Sequence, residues 1–138
     1  MQADLTIHRL LLKMKEIEAS DLHIKVGSPP VLRVASALHP TSLPALSGED
    51  TSQLLMPLIP SRMLPNLDLK GGVDFSHTEH GGRYRCSVFH AGGGLHAAIR
   101  RVNSKIPSFE DLHLPPIYEH VAEHVHEGLV IVCGVTGS

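Results

Sequence analysis

The chain has 138 residues, which suits one domain and the start of a second. A hydrophobic fraction of 42% and a charged fraction of 19% are typical of a globular protein and exclude a disordered one. The formal net charge of −2 indicates no basic surface for nucleic acid, and no apolar run approaches the ~20 residues that cross a bilayer. We therefore expect neither nucleic-acid binding nor direct membrane insertion. Two isolated cysteines, Cys86 and Cys133, fit a reducing cytoplasm better than a disulfide scaffold.

The first forty residues predict a helix followed by three short strands. Residues 22–26 alternate apolar and polar side chains, as in a half-buried strand, and Val31–Val34 begins a second strand after a Gly-Pro-rich turn. Residues 38–40 pair back after Ala35-Ser36, a turn whose geometry these residue types leave open. The preceding helix, with Asp4 as its N-cap, is predicted from an apolar stripe at Ile7, Leu10, Leu11, Met14 and Ile17.

A second helix is predicted to begin at Ser47, which has acidic residues in the turn that follows. It should end near Met56, because Pro57 disfavours helical geometry in the residue before it. Pro60 and Pro65 then leave room for only a short turn between them.

Residues 73–102 predict a three-stranded antiparallel meander, with strands at 73–78, 83–90 and 95–102. The middle strand has two different faces. Tyr84, Cys86 and Val88 share one face, whereas Arg83, Arg85 and Ser87 share the other. We expect the first face to be packed and the second to be solvated or functional.

Residues 103–116 indicate a structured linker, because proline at 107, 115 and 116 flanks one capped helical turn at 108–112. Pro116 then suits the first turn of a helix that carries Ile117, Val121 and Val125 on one face and ends at Gly128. The continuous apolar run that follows is typical of a buried strand in a parallel sheet.

Residues 128–138, GLVIVCGVTGS, contain part of a phosphate-binding motif. A P-loop reads G-x-x-x-x-G-K-[ST] between a buried strand and a helix, and after the apolar strand Leu129–Cys133 its first five positions are matched by Gly134, Val135, Thr136, Gly137 and Ser138. Backbone N–H groups of a complete loop cradle the β-phosphate. The lysine and hydroxyl of the motif are not among these residues. We therefore expect no catalytic residue, ATP hydrolysis or bound cofactor in this stretch of sequence by itself. Taken alone, residues 128–138 fit a strand with a glycine-rich tail equally well.

Several stretches together resemble the type IV pilus retraction ATPases (PilT-like), within the wider class of secretion ATPases. They occur in the order found in that family and cover nearly the whole chain. The matching residues are 19–24 (ASDLHI), 26–30 (VGSPP), 73–76 (VDFS), 83–89 (RYRCSVF), 104–108 (SKIPS), 112–116 (LHLPP) and 128–138. The sequence departs from the family at Ala35-Ser36, where Asp-Gly is common, and at Val135, where proline is common.

The resemblance implies an α+β chain in three parts. Residues 1–102 would be a PAS-like N-terminal domain, an antiparallel sheet with helices packed on it. Residues 103–116 would be an interdomain linker, and residues 117–138 would supply the first helix and strand of a RecA-like α/β domain. For the whole protein it implies ATP and Mg²⁺ as cofactors, a hexameric ring, and inner-membrane pilus platform proteins as partners. It also implies a cytoplasmic location, peripheral to the inner membrane at the pilus base.

The resemblance further implies that arginines on the predicted meander reach nucleotide phosphates. The candidates are Arg83, Arg85, Arg100 and Arg101. The hairpin closed by glycines 92–94 would place one of the last two beside the first two. The alternative is a solvated sheet face on which these arginines pair with Asp74, Glu79 or Glu110.

The eleven histidines include one pattern with metal-ligand spacing. His120 to His124 matches H-x-x-E-H, in which two histidines on one helical face bind zinc. The apolar stripe on the same helix leaves them on its polar side, so we expect solvated histidines and no metal site.

Two classes of function remain open. One is an ATP-driven pilus retraction motor, with a pilus-assembly or type II secretion ATPase as its nearest alternative. The other is a non-catalytic PAS-like module for interaction or ligand binding. Continuation of the reading frame as Gly-Lys-Ser/Thr after Ser138 would select the motor, and a stop codon would select the module.

Overall fold

The computed structural model describes residues 5–103, 106–131, 133 and 134. The chain divides into two compact units, residues 1–104 and residues 105–138, which are described separately below. The first unit contains helices α1 (Ile7–Glu16), α2 (Gly48–Leu55) and α3 (Leu64–Lys70) and short 3-10 turns at Met56–Leu58 and Ser61–Met63. Its strands are β1 (Asp21–Ile24), β2 (Val31–Val34), β3 (Ala37–Pro40), β4 (Gly72–Glu79), β5 (Gly82–Ala91) and β6 (Gly94–Val102).

The six strands form one antiparallel sheet in the order β3-β2-β1-β6-β5-β4. Two local meanders, β1–β3 and β4–β6, are joined along β1 and β6, where Leu22 pairs with Ile99. The predicted meander of residues 73–102 is confirmed. The joint between the two meanders brings Asp21 opposite Arg100, although 79 residues separate them in sequence.

Helix α1 packs the predicted apolar stripe into the core. Ile7, Leu10, Leu11 and Met14 are all buried. The helix begins after Thr6, whose side chain accepts a hydrogen bond from the backbone N–H of Arg9 at 3.3 Å. The N-cap is therefore Thr6, and the predicted cap Asp4 lies outside the described residues.

The turn between β2 and β3 consists of two residues in the left-handed region, Ala35 at φ 45° and Ser36 at φ 70°. Positive φ at both central positions is the hairpin geometry that matches the twist of the two strands. The hairpin therefore forms with Val34 opposite Ala37, even though Ala35 and Ser36 each have a Cβ, which a positive φ disfavours.

Helix α2 begins at the predicted capping box. The backbone N–H of Asp50 donates to Ser47 Oγ at 3.1 Å, and the N–H of Ser47 donates to Asp50 Oδ2 at 2.9 Å. The predicted short turn between Pro60 and Pro65 is present as the 3-10 turn Ser61–Met63, and α3, which was not predicted, follows it from Leu64 to Lys70. Pro65 lies in the first turn of α3, where a missing N–H costs no intrahelical bond.

The core lies on one face of the sheet, under the helices. Tyr84, Cys86 and Val88 are fully buried there, as the alternation of β5 predicts. The Tyr84 hydroxyl donates to the Leu11 carbonyl oxygen at 3.0 Å and so ties α1 to β5. The opposite face carries exposed residues, among them Arg83 and Arg85, and we call it the open face.

The second unit has one helix, α4 (Ile117–His124), among its described residues. α4 ends four residues before the predicted Gly128. The capped turn is present, with the Ser108 N–H donating to Asp111 Oδ2 at 3.1 Å. Of the predicted strand 129–133, residue 132 lies outside the described residues, and residues 129–131 form no strand in the second unit and are 61–83% exposed. Apolar character alone does not form a strand, because ladder hydrogen bonds need a neighbour.

None of the helices in the described part of the chain is both long and apolar enough to span a membrane.

Candidate functional site

A row of charged side chains crosses the middle of the open face. Asp21 on β1 lies opposite Arg33 on β2 and opposite Arg100 on β6, and Arg100 lies opposite Arg85 on β5. Directly paired residues of an antiparallel sheet point to the same face, with Cβ atoms about 4.5–5.5 Å apart. The sheet register therefore brings three arginines and one carboxylate together, in the order Arg33, Asp21, Arg100, Arg85.

Asp21 is the buried centre of this row, at 8% exposure. Its Oδ1 accepts from Arg100 Nε at 2.9 Å, and its Oδ2 accepts from Ser20 Oγ at 2.9 Å and lies 3.5 Å from Arg33 Nε. Burial alone would raise the pKa of Asp21, but the hydrogen bonds from Arg100 and Ser20 outweigh it and hold this pKa below its ordinary value. Asp21 is therefore a fixed anion.

The arginines of the row remain accessible to solvent. The side chain of Arg100 is 72% exposed, and Arg83 and Arg85 are exposed as well. Within the first unit no described carboxylate pairs with Arg83 or Arg85, so the alternative pairing of these two arginines with Asp74 or Glu79 is not observed. Arg85 and Arg100 stand directly opposite each other, a like-charge arrangement that is destabilising unless an anion lies nearby. The arrangement can accept a polyanion that bridges the two guanidinium groups.

A shallow cavity of about 260 Å³ opens beside Arg85 and Arg100. Asp21, His23, Ser87 and Ala98 also line it. Asp74, an exposed residue of β4, also lines this cavity. Its carboxylate would repel an anion, because no arginine among the described residues is bonded to it. Arg33 lies at one end of the row, and Arg83 lies two residues from Arg85 on the same exposed face of β5.

Arg101 lies apart from the other predicted arginines. It pairs in register with the buried Tyr84, on the packed side of the sheet, and its Nε donates to the Ala19 carbonyl oxygen at 3.0 Å. The structure therefore groups Arg83, Arg85 and Arg100 and separates Arg101. Sequence reasoning missed Asp21 and Arg33. Asp21 could have been found from its position in the 19–24 stretch, because it alternates with the buried Leu22 and Ile24 and so lies on the opposite face of the strand.

Glu79, at the end of β4, is surrounded by histidines rather than arginines. His8 Nδ1 lies 2.6 Å from Oε1, His77 Nε2 lies 3.3 Å from Oε2, and His80 Nε2 lies 3.7 Å from Oε1. Burial would raise the pKa of Glu79, and its contacts with His8 and His77 lower it below the ordinary value. No group of three His, Cys, Asp or Glu side chains in the described ranges has a geometry that could hold a metal ion.

Of the predicted P-loop residues, only Gly134 is described, and it is exposed. Val135, Thr136, Gly137 and Ser138 lie outside the described residues. The H-x-x-E-H histidines are exposed on α4 with their rings stacked, centroids 4.6 Å apart, and His124 Nδ1 donates to the His120 carbonyl oxygen at 3.1 Å.

The chain is homologous to type IV pilus ATPases. The chain is 31% identical over 121 residues to the type IV pilus retraction ATPase PilT of Pseudomonas aeruginosa, and 31% identical over 131 residues to the type IV pilus ATPase PilU of the same organism. These matches cover 87% and 94% of the chain. A twitching motility protein of Neisseria gonorrhoeae is 30% identical over 110 residues, or 79% of the chain.

Among solved structures, the pilus retraction motor PilT with bound ADP matches 86% of the chain at 32% identity and a TM-score of 0.73. The ATPase DotB of Legionella pneumophila matches 88% of the chain at a TM-score of 0.67 and 20% identity, which shows a shared fold. No protein-family model matches. The chain spans about a third of the length of these relatives, 35% of PilT, 34% of PilU and 29% of the gonococcal protein.

Proposed function

Because this chain is homologous to the PilT-like type IV pilus ATPases, we propose that it is the N-terminal part of a hexameric, ATP-driven motor that powers pilus retraction. The observation that carries this proposal is its 31% identity to a retraction ATPase over 87% of the chain. We assign residues 1–102 to a PAS-like domain, residues 103–116 to a linker, and residues 117–138 to the start of a RecA-like motor domain.

The open face is the part of the described chain that we assign to nucleotide. In this proposal Arg85 and Arg100 contact the phosphates of ATP and stabilise the charge that develops during phosphoryl transfer, and Arg83 extends the same surface. The support is their register on one exposed face, together with the ADP bound to the PilT structure that the chain resembles. Arg101 has no part in it, since its guanidinium is bonded on the packed side.

The remaining assignments follow from the same homology. The whole protein would use Mg²⁺ with ATP, and residues 134–138 would contribute backbone N–H groups to its P-loop. The ring would act at the cytoplasmic base of the pilus, against platform proteins of the inner membrane. The linker would allow rigid-body motion of one domain against the other during the cycle.

A pilus-assembly or secretion ATPase of the same superfamily is the second candidate, because the DotB match shows a fold common to both and does not select between them. A non-catalytic PAS-like module is the third. The complete reading frame separates the classes: the motor requires Gly-Lys-Ser/Thr directly after Ser138, and any other continuation contradicts it. Retraction is then tested by complementation, since the complete protein should restore twitching to a strain that has pili but lacks its retraction ATPase. Restored pilus assembly in an assembly-deficient strain, without twitching in the first strain, would select the second candidate.

A further inference from the structure

We propose that Asp21 is a positioning residue that holds Arg100 in the orientation required to contact a nucleotide phosphate. This inference rests on the function proposed above for the open face. Asp21 itself touches no substrate in this account and acts only through the arginine.

The bond from Arg100 to Asp21 uses one particular nitrogen. Nε of Arg100 donates to Asp21 Oδ1 at 2.9 Å, and its terminal amino groups have no partner among the described residues. A guanidinium group has five N–H donors in a rigid planar fork, so fixing Nε also fixes the direction of the four terminal donors. Arg100 therefore presents a pre-oriented, unoccupied edge that suits two oxygens of one phosphate.

The asymmetry in exposure indicates which residue positions the other. The side chain of Arg100 is 72% exposed, whereas that of Asp21 is 12% exposed. Asp21 is also bonded to Ser20 and lies against Arg33, whose own Nη1 donates to the Ser36 carbonyl oxygen at 3.0 Å. The carboxylate is thus fixed from three sides, and Arg100 is the more exposed partner of the pair.

Asp74 provides a matched control. It lines the same cavity as Asp21 and carries the same charge, but it is exposed and no arginine among the described residues is bonded to it. Removing either carboxylate makes the cavity more positive. On charge alone, both Asp21→Ala and Asp74→Ala should bind an anion more tightly. If Asp21 positions Arg100, the two substitutions act in opposite directions.

The test uses the 138-residue chain, inorganic tripolyphosphate as the probe, and nuclear magnetic resonance of the arginine Nε–H groups. In the wild type we expect a slowly exchanging Arg100 Nε–H resonance, and shifts of both Arg100 and Arg85 on titration. Asp21→Ala should abolish the slow exchange and weaken binding roughly three- to tenfold, the cost of ordering one long side chain on binding. Asp21→Asn, which keeps an acceptor oxygen, should fall between the two. Asp74→Ala should bind as tightly as the wild type or tighter.

The outcomes separate this inference from the function on which it rests. If tripolyphosphate shifts neither arginine in the wild type, the phosphate contact is wrong and the role of Asp21 falls with it. If binding occurs and Asp21→Ala strengthens it as Asp74→Ala does, the phosphate contact stands and Asp21 is not a positioning residue. The backbone amide spectrum confirms that each variant is folded, and Asp21→Asn decides the question if Asp21→Ala does not fold.

Discussion

A close approach between α2 and the start of β6 depends on one glycine of the 92–94 turn. A Cβ added at Gly94 would lie 2.7 Å from Gly48 Cα, 2.8 Å from Val26 Cγ2 and 2.9 Å from Thr51 Oγ1. Carbon atoms in ordinary contact are about 3.5–4.0 Å apart, so α2 would have to move away by roughly 1 Å. We predict that Gly94→Ala destabilises the protein.

The neighbouring glycine provides the control. A Cβ at Gly93 meets nothing within 4 Å, and the only penalty there comes from its φ of +83°. That conformation costs a residue with a Cβ roughly 1–2 kcal/mol, and stiffening of the unfolded chain recovers about 0.4–1 kcal/mol of it. Gly93→Ala should therefore lower the free energy of unfolding by about 0–1.6 kcal/mol.

Overpacking at Gly94 should cost more, about 2–3 kcal/mol, because its neighbours include the backbone of a capped helix. Urea unfolding followed by far-ultraviolet circular dichroism measures both values. If the free energy of unfolding depends equally steeply on urea concentration in both variants, their unfolded states match. A free energy of unfolding for Gly94→Ala equal to or above that of Gly93→Ala would refute the argument that close helix–strand contact requires this glycine.

Three further predictions concern other contacts of the first unit and the two cysteines. Tyr84→Phe removes the hydrogen bond to Leu11 and should lower the free energy of unfolding by roughly 0.5–1.5 kcal/mol in the same urea assay; no change would mean that the bond adds nothing. Folding lowers the pKa of Glu79 below its ordinary value of 4.5, so its contribution is present above that pH and is lost as the pH falls below it. Glu79→Gln should make stability depend less steeply on pH in that acid range, and an unchanged pH profile of the melting temperature would contradict this. Burial raises the pKa of Cys86 to about 12, whereas Cys133 is exposed. One thiol should therefore react with iodoacetamide at pH 8 in the native protein and two in denaturant, and two fast native reactions would contradict the buried position of Cys86.

Local patterns in the sequence predicted the faces of the sheet well. The alternation along residues 83–88 identified both the buried side and the arginine side of β5, because side chains of a strand point to opposite faces in turn. Ser47 identified the start of α2, since its capping box is formed within four residues. These features depend only on near neighbours in the chain.

Features that depend on distant partners were missed or wrong. The bond between Asp21 and Arg100 follows from the pairing of β1 with β6, and no periodicity within either strand encodes that pairing. The same register decides that Arg100 faces the open side while Arg101 faces the core. Helix α3 was not predicted, although proline in a first turn, where Pro65 lies, is compatible with a helix. Residues 129–131 of the predicted strand are not in a strand, because they have no strand to pair with among the described residues of the second unit.

The assignment of the open face to nucleotide is the central claim, and ATP turnover tests it most directly. The protein to use is the product of the complete reading frame that contains these 138 residues, as wild type, Arg85→Ala, Arg100→Ala and Lys70→Ala. Lys70 is an exposed cation at the end of α3, so its removal controls for the loss of one positive charge. The account predicts a fall in kcat of about tenfold or more for each arginine variant, because charge stabilisation at the transferred phosphate is lost, and no change for Lys70→Ala. Wild-type kcat and nucleotide affinity in both arginine variants would contradict it.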